Sequence, residues 1–138
     1  MTLISELSDP SDVLTLLNSG WNASIIAKPT MKEGFFGDLQ TDGNTILVGW
    51  NQLSFDSTDL GIQNDEVDNF FEIVIFSDHK VEATAKTNLI KLLSETRRIV
   101  NRTITNGQWH LDSVLPHKRG HEQLMICTLR EHFHYLGD

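Results

Sequence analysis

The longest regular hydrophobic pattern predicts a strand that leads directly into a helix. Residues 69–77, NFFEIVIFS, carry apolar side chains on both alternating faces, which indicates a strand that is covered on both sides. Residues 79–102 then have apolar side chains at helical spacing, and Asp78 is positioned to cap the helix. Arginines in the last turns suit the negative end of the helix dipole: Arg97, Arg98 and Arg102.

The other hydrophobic segments are shorter. Residues 9–20 predict a helix with Asp9 as its cap and Pro10 in its first turn. Four apolar and partly β-branched segments predict strands at residues 21–29, 45–50, 109–115 and 123–135. This order predicts an α+β fold in a single domain over residues 1–138: a mixed sheet of about four to five strands, one long helix packed on one face and a short N-terminal helix.

Two long polar segments interrupt the predicted elements. The first, at 30–44, contains the adjacent aromatics Phe35 and Phe36 between glycines and continues to Leu39. Because long loops without secondary structure are usually functional or disordered, two alternatives are open for these aromatics. They either fold back as a small satellite core or stay available for a partner.

The second segment, at 56–68, is an acidic loop with no basic residue. Its spacing lacks the alternating oxygen ligands and central glycine of a helix-loop-helix calcium site, so we expect a solvated surface loop. Its acidic residues are Asp56, Asp59, Asp65, Glu66 and Asp68.

Charge is unevenly distributed along the 138 residues, whose net charge is -8. Residues 1–69 contain 11 acidic and 2 basic residues, whereas residues 70–138 contain 8 acidic and 9 basic residues. The acidic balance argues against nonspecific binding to nucleic acid or to an anionic membrane, since both need an excess of Lys and Arg. In a protein that assembles head to tail, the acidic side of one subunit could meet the less acidic side of its neighbour.

Cys127 is the only cysteine, so an intrachain disulfide is excluded, and its apolar surroundings predict a buried thiol. No signal peptide or membrane span is predicted from the hydropathy. We therefore expect a soluble protein that folds in a reducing compartment.

Four of the six histidines fall within residues 117–134, which raises the question of a metal site. His117 and His121 have the spacing of a helical ligand pair, but Pro116 and Gly120 place them in a connection. His132 and His134 share the polar face of the last predicted strand. The pattern favours solvent-facing histidines, with no catalytic, cofactor or metal residue. The alternative is a small metal-dependent hydrolase that uses these C-terminal histidines.

In size and element order the chain resembles the tail terminator (tail completion) proteins of long-tailed phages and related archaeal viruses. The resemblance extends over nearly the whole chain and is carried by VDNFFEIVIFSDHKVEATAKTNLIKLLSETRRIVNR, residues 67–102, where the strand runs directly into the long helix. In that family a short N-terminal helix precedes a mixed sheet. Six subunits form a ring that caps the tail tube and joins it to the head connector.

The resemblance implies a structural, non-enzymatic virion protein without a cofactor, assembled in the host cytoplasm. Its expected partners are further copies of itself, the tail tube protein and the head or neck connector protein, with no specific nucleic-acid binding and no membrane contact. On this hypothesis Phe35, Phe36 and Leu39 contribute to a subunit or neck contact. The five acidic residues of the 56–68 loop would face the channel. A different head-tail neck or adaptor protein is the alternative within the same class.

Overall fold

The computed structural model describes residues 8–38, 43–57, 64–104, 107–119 and 122–136. It confirms the α+β architecture, with a short N-terminal helix and one long helix packed on a mixed sheet. Within the described ranges the sheet has six strands, more than the sequence predicts. In chain order the elements are α1 (Pro10–Gly20), β1 (Thr30–Glu33), a 3-10 turn (Phe36–Asp38), β2 (Thr45–Ser57), β3 (Asn64–Ser77), α2 (Glu82–Val100), β4 (Arg102–Ile104), β5 (Gly107–Arg119) and β6 (Glu122–Leu136). Neither described helix is long and apolar enough to cross a membrane.

Two long antiparallel hairpins form the centre of the sheet. The strand order is β1-β2-β3-β6-β5-β4, so the β2–β3 hairpin lies beside the β5–β6 hairpin through the β3–β6 pair. β1 adds to the outer edge of β2 in parallel, and β4 adds to the outer edge of β5 in antiparallel orientation. The two edge strands, β1 and β4, are therefore very short.

The two faces of the sheet are covered differently. The face that we call the helix face packs against α1 and α2, where Val13 and Leu17 of α1 and Leu92 of α2 meet Phe71 and Ile73 of β3. The opposite face, the open face, carries a smaller buried cluster of Leu47, Val74, Phe76 and Leu124. Because successive strand residues alternate between faces, β3 contributes to both clusters, which confirms the prediction that this strand is covered on both sides.

The predicted start of α1 is confirmed, whereas that of α2 is wrong. Asp9 accepts a hydrogen bond from the Asp12 backbone N–H at 3.1 Å, and the Asp12 carboxylate accepts from the Asp9 N–H at 2.8 Å, forming a capping box. α2 begins only at Glu82, after Val81, without a side-chain cap. Asp78 instead accepts from the Gly43 N–H at 3.2 Å, so it fixes the turn before β2.

The predicted strand at 21–29 is wrong, because this segment forms a turn at residues 23–26 and irregular backbone on either side of it. The Asn22 side chain accepts from the Ser24 N–H at 3.1 Å, and Trp21 Nε1 donates to the Ile26 carbonyl at 3.0 Å. Such local bonds give the backbone an alternative to a sheet ladder. The strand forms after Pro29 instead, as β1, within the segment that the sequence predicts to be a loop.

The predicted acidic loop at 56–68 is also shorter than expected. β2 extends to Ser57 and β3 begins at Asn64, so most of the segment continues the β2–β3 hairpin. Repeated Asp and Glu residues disfavour a strand by intrinsic propensity, but pairing with β6 along the whole of β3 overrides that preference here.

Candidate assembly surfaces

The aromatic segment after β1 folds back onto the open face, where Phe36 becomes part of the packing. The Phe36 side chain is half-buried against the open-face cluster, and its backbone N–H donates to Glu72 Oε2 at 3.0 Å. Its ring meets the His117 ring edge-on with the centroids 5.2 Å apart. The sequence left open whether the aromatic pair forms a satellite core or stays available for a partner. Phe36 belongs to a satellite core.

Phe35 behaves differently, since 43% of its side chain remains exposed. Its ring lies over Gly49 of β2, where an added Cβ would come within 2.6 Å of the ring and 2.8 Å of the Gly34 carbonyl oxygen. The Phe35 N–H donates to Asp38 Oδ2 at 2.9 Å, which fixes the segment in this position. Phe35 is thus an aromatic side chain presented on a fixed backbone. Leu39, the third predicted contact, lies outside the described residues.

Asp68 is the one member of the predicted acidic set whose side chain is described. It projects from β3 on the open face and accepts hydrogen bonds from Arg130 Nε at 2.9 Å and from His132 Nδ1 at 2.6 Å. Burial alone would raise the pKa of Asp68, but these bonds and the charge of Arg130 hold the pKa below its ordinary value. Asp56 lies in β2, Asp65 and Glu66 lie in β3, and Asp59 is outside the described residues.

The C-terminal histidines do not converge in the described part of the chain. His132 bonds Asp68, whereas His117 packs on Phe36 near the opposite end of the β5–β6 hairpin. Among the described residues no three His, Cys, Asp or Glu side chains are placed to hold a metal ion. His134 belongs to β6 by its backbone, and His121 is outside the described residues.

Cys127 is fully buried in the helix-face core, as its apolar surroundings predict. Burial raises the pKa of the Cys127 thiol to about 12. This thiol therefore stays protonated at neutral pH and acts as a small apolar side chain.

A buried carboxylate that the sequence interpretation missed ties the start of α1 to the sheet. Glu131 is fully buried on the helix face of β6 and accepts four hydrogen bonds: from the Ser8 N–H at 3.0 Å, from the Ser8 hydroxyl, from Asn69 Nδ2 at 3.0 Å and from Trp109 Nε1. Asn69 Nδ2 also donates to the Ser8 carbonyl at 2.8 Å, and Trp50 Nε1 donates to Asn69 Oδ1 at 2.6 Å. The sequence does contain one indication of this buried carboxylate, because Glu131 lies on the otherwise apolar face of the predicted last strand.

A second buried carboxylate connects the segment after α1 to α2. Glu95 is buried, and Arg98 donates to it through Nε at 2.6 Å and through a terminal nitrogen at 2.7 Å. Arg98 also donates to the Gly20 carbonyl at 2.7 Å, and the Asn22 N–H donates to Glu95. The arginine therefore does more than match the charge of the helix end.

The Glu95–Arg98 pair predicts a pH-dependent contribution to stability. Hydrogen bonds from Arg98 hold the pKa of Glu95 below its ordinary value of 4.5, against the opposing effect of burial. A carboxyl whose pKa is lower in the folded state stabilises the fold above its unfolded pKa and loses that contribution as the pH falls through the folded pKa. Arg98→Met should therefore lower the free energy of unfolding at pH 7, and its difference from the unmodified protein should shrink in acid as Glu95 becomes protonated.

Urea unfolding between pH 3 and pH 7 measures this difference. Arg97→Met is the matched control, because Arg97 is an exposed neighbour in the same helix turn. A difference between Arg98→Met and the unmodified protein that stays constant with pH would contradict the assignment.

The chain matches no protein-family model and no curated protein. A structural similarity does exist to a chain from the virion of a native gene transfer agent (GTA) particle, with a TM-score of 0.61 and 11% sequence identity. The similar region covers 88% of this chain and 91% of that chain. At this identity the similarity establishes a shared fold over nearly the full length of both chains.

Proposed function

We propose that this protein is a structural component of a virion, and more specifically a tail terminator that forms a ring on the tail tube and joins it to the head or neck connector. The observation that carries the proposal is the fold shared with a gene transfer agent virion chain over most of both chains. The element order that resembles tail terminator proteins supports the finer assignment. The role requires surfaces for assembly and no catalytic centre.

The distribution of charge across the sheet supports closure of a ring from identical subunits. β1 and β2 come from the acidic residues 1–69, whereas β4, β5 and β6 come from residues 70–138. The strand order puts these two groups on opposite sides of the sheet. A head-to-tail contact brings the acidic side of one copy to the near-neutral side of the next, which favours the repeated heterologous contact of a ring.

The acidic residues of the β2–β3 hairpin are proposed to face the channel of the ring: Asp56, Asp59, Asp65, Glu66 and Asp68. A negative wall suits the passage of DNA, because it repels phosphate and prevents adhesion. The charge of Asp68 is partly compensated by Arg130, whose Nε donates to it at 2.9 Å.

Phe35, Phe36 and Leu39 are proposed to form part of the subunit or neck contact. Substitution of Phe35 tests this contact. Phe35→Ser should shift the purified protein from ring to monomer in light scattering, because it removes an exposed aromatic side chain from the proposed contact. The far-UV circular dichroism of the variant should stay that of the folded protein. Ile25→Ser is the matched control, since Ile25 is exposed to 44% on a different segment. An unchanged oligomer in Phe35→Ser would remove this side chain from the interface.

A different neck or adaptor component is the other candidate in the same class, and particle morphology separates the two roles. A terminator stops growth of the tube, so particles produced without this protein should carry tails of uncontrolled length in negative-stain images. Loss of an adaptor would leave tails of normal length that fail to join heads. Tails of normal length that fail to join heads would reject the terminator role but would leave the assignment to a virion intact.

A further inference from the structure

The two short edge strands each cover only part of the strand beside them. β1 pairs with β2 from Thr45 to Val48, so the outer edge of β2 beyond Val48 has no partner strand among the described residues. β4 pairs with β5 only from Gly107 to Trp109. The Leu111 N–H donates to Asn101 Oδ1 at 2.7 Å, and beyond Leu111 the outer edge of β5 has no partner strand among the described residues. Unpaired edges of this length present backbone donors and acceptors to another chain.

The stretches of β2 and β5 without a partner strand, which we call their bare parts, lie toward opposite ends of the strands. Register across the hairpins puts His117 of β5 level with Thr45 of β2, through Leu124 and Phe76. The same counting puts Trp109 level with Leu53, through Glu131 and Asn69. The bare part of β5 is therefore level with β1, and the bare part of β2 is level with β4.

From this geometry we propose that two copies of the chain join edge to edge, with β1 of one copy and β4 of its neighbour sharing a single strand position. β1 of one copy lies beside residues 114–117 of the neighbour's β5, while that neighbour's β4 lies beside residues 53–55 of the first copy's β2. This inference rests on the proposed self-assembly and specifies the contact that closes the ring.

Strand directions are compatible with this arrangement when both copies have the same orientation. β1 is parallel to β2, and β2 runs opposite to β5, so β1 meets the neighbour's β5 in antiparallel orientation. β4 runs opposite to β5, so it meets the other copy's β2 in parallel orientation. Both are ordinary sheet pairings, and the lateral contact needs no shift of one copy along the strands.

Exposed apolar side chains on the bare part of β5 favour the same contact. Leu115 is exposed to 62% and Val114 to 37%, and both are level with β1. Register places Lys32 opposite Leu115 and Glu33 opposite Val114 in the joined sheet, so the stem of Lys32 covers the leucine. Pro116 has no backbone N–H, which removes one donor from this edge and makes side-chain burial the larger part of the contact.

Disulfide trapping tests the pairing in the full-length protein. Lys32→Cys combined with Leu115→Cys places two thiols within bridging distance only across the proposed contact. Inside one chain β1 and β5 are separated by β2, β3 and β6, a span of about 19 Å at ~4.8 Å per strand step, which is too long for a disulfide. Oxidation should yield a ladder of covalent multimers that ends at the closed ring in nonreducing gels. The native Cys127 is buried and should take no part.

Lys91→Cys combined with Leu115→Cys is the matched control, because Lys91 is an exposed residue of α2 away from β1. This pair should give at least tenfold less covalent multimer under the same oxidant. A ring seen by light scattering without the Lys32–Leu115 ladder would overturn the edge pairing and leave the ring intact. A protein that stays monomeric, with no ladder from either pair, would overturn both the pairing and the proposed self-assembly.

Discussion

Glu131→Ala should lower the free energy of unfolding by about 3 to 5 kcal/mol, because it leaves several buried donors without an acceptor. The carboxylate is fully buried and accepts from Ser8, Asn69 and Trp109. Buried donors of this kind cost more when unpaired than the hydrogen bonds contribute when formed. For a chain of this size the melting temperature should fall by roughly 10 °C or more, measured by circular dichroism.

Glu131→Gln is the matched control for that substitution. Glutamine keeps the shape and one accepting oxygen, but its NH2 group faces donors that need an acceptor. We therefore expect a loss of stability between those of the unmodified protein and Glu131→Ala. Equal stability of all three proteins would show that the network around Glu131 does not hold α1 on the sheet.

The parts of the fold that the sequence predicts well are those with a long and unambiguous period. β3 and α2 follow from one continuous pattern, in which a run of apolar residues on both strand faces gives way to apolar residues at helical spacing after Ser77. The cap of α1 follows as well, because Asp9 and Pro10 have a local preference for these positions. Periodicity and capping are short-range properties, and they need no knowledge of the strand order.

The errors arise where long-range pairing competes with local preference. Residues 21–29 are apolar enough for a strand, but Asn22 and Ser24 form a turn, and residues 30–33, of which only Met31 is apolar, form the strand beside β2. The acidic ends of the β2–β3 hairpin look like a loop because their propensity for strands is low. They are strands because the facing length of β6 supplies partners for β3.

For the candidate site, residue type identified the aromatic segment but could not divide the roles within it. Phe35 and Phe36 are equivalent in the sequence, and only the position of Gly49 beneath one ring and of the open-face cluster beneath the other separates them. Similarly, the polar face of β6 was predictable from alternation, whereas the bond from His132 to Asp68 depends on the β3–β6 register. Surface roles therefore need the tertiary structure.

Phe76→Ala should destabilise the protein by about 3 to 5 kcal/mol, as a core substitution does, although Phe76 lies on the face that neither described helix covers. The physical reason is that the segment carrying Phe36 closes over this cluster and excludes water from it. Urea unfolding of the single variants Phe76→Ala and Phe36→Ala and of the double variant provides the measurement. Since Phe36 packs against the same cluster, the double variant should lose less stability than the two single variants combined.

Ile90→Ala is the control. It lies on the exposed side of α2, where 58% of the residue is accessible, and should change stability by less than about 0.5 kcal/mol. Strictly additive losses for Phe76 and Phe36 would mean that the aromatic segment does not rest on the sheet in solution, and Phe35 would then lose the fixed position on which its proposed role in assembly depends.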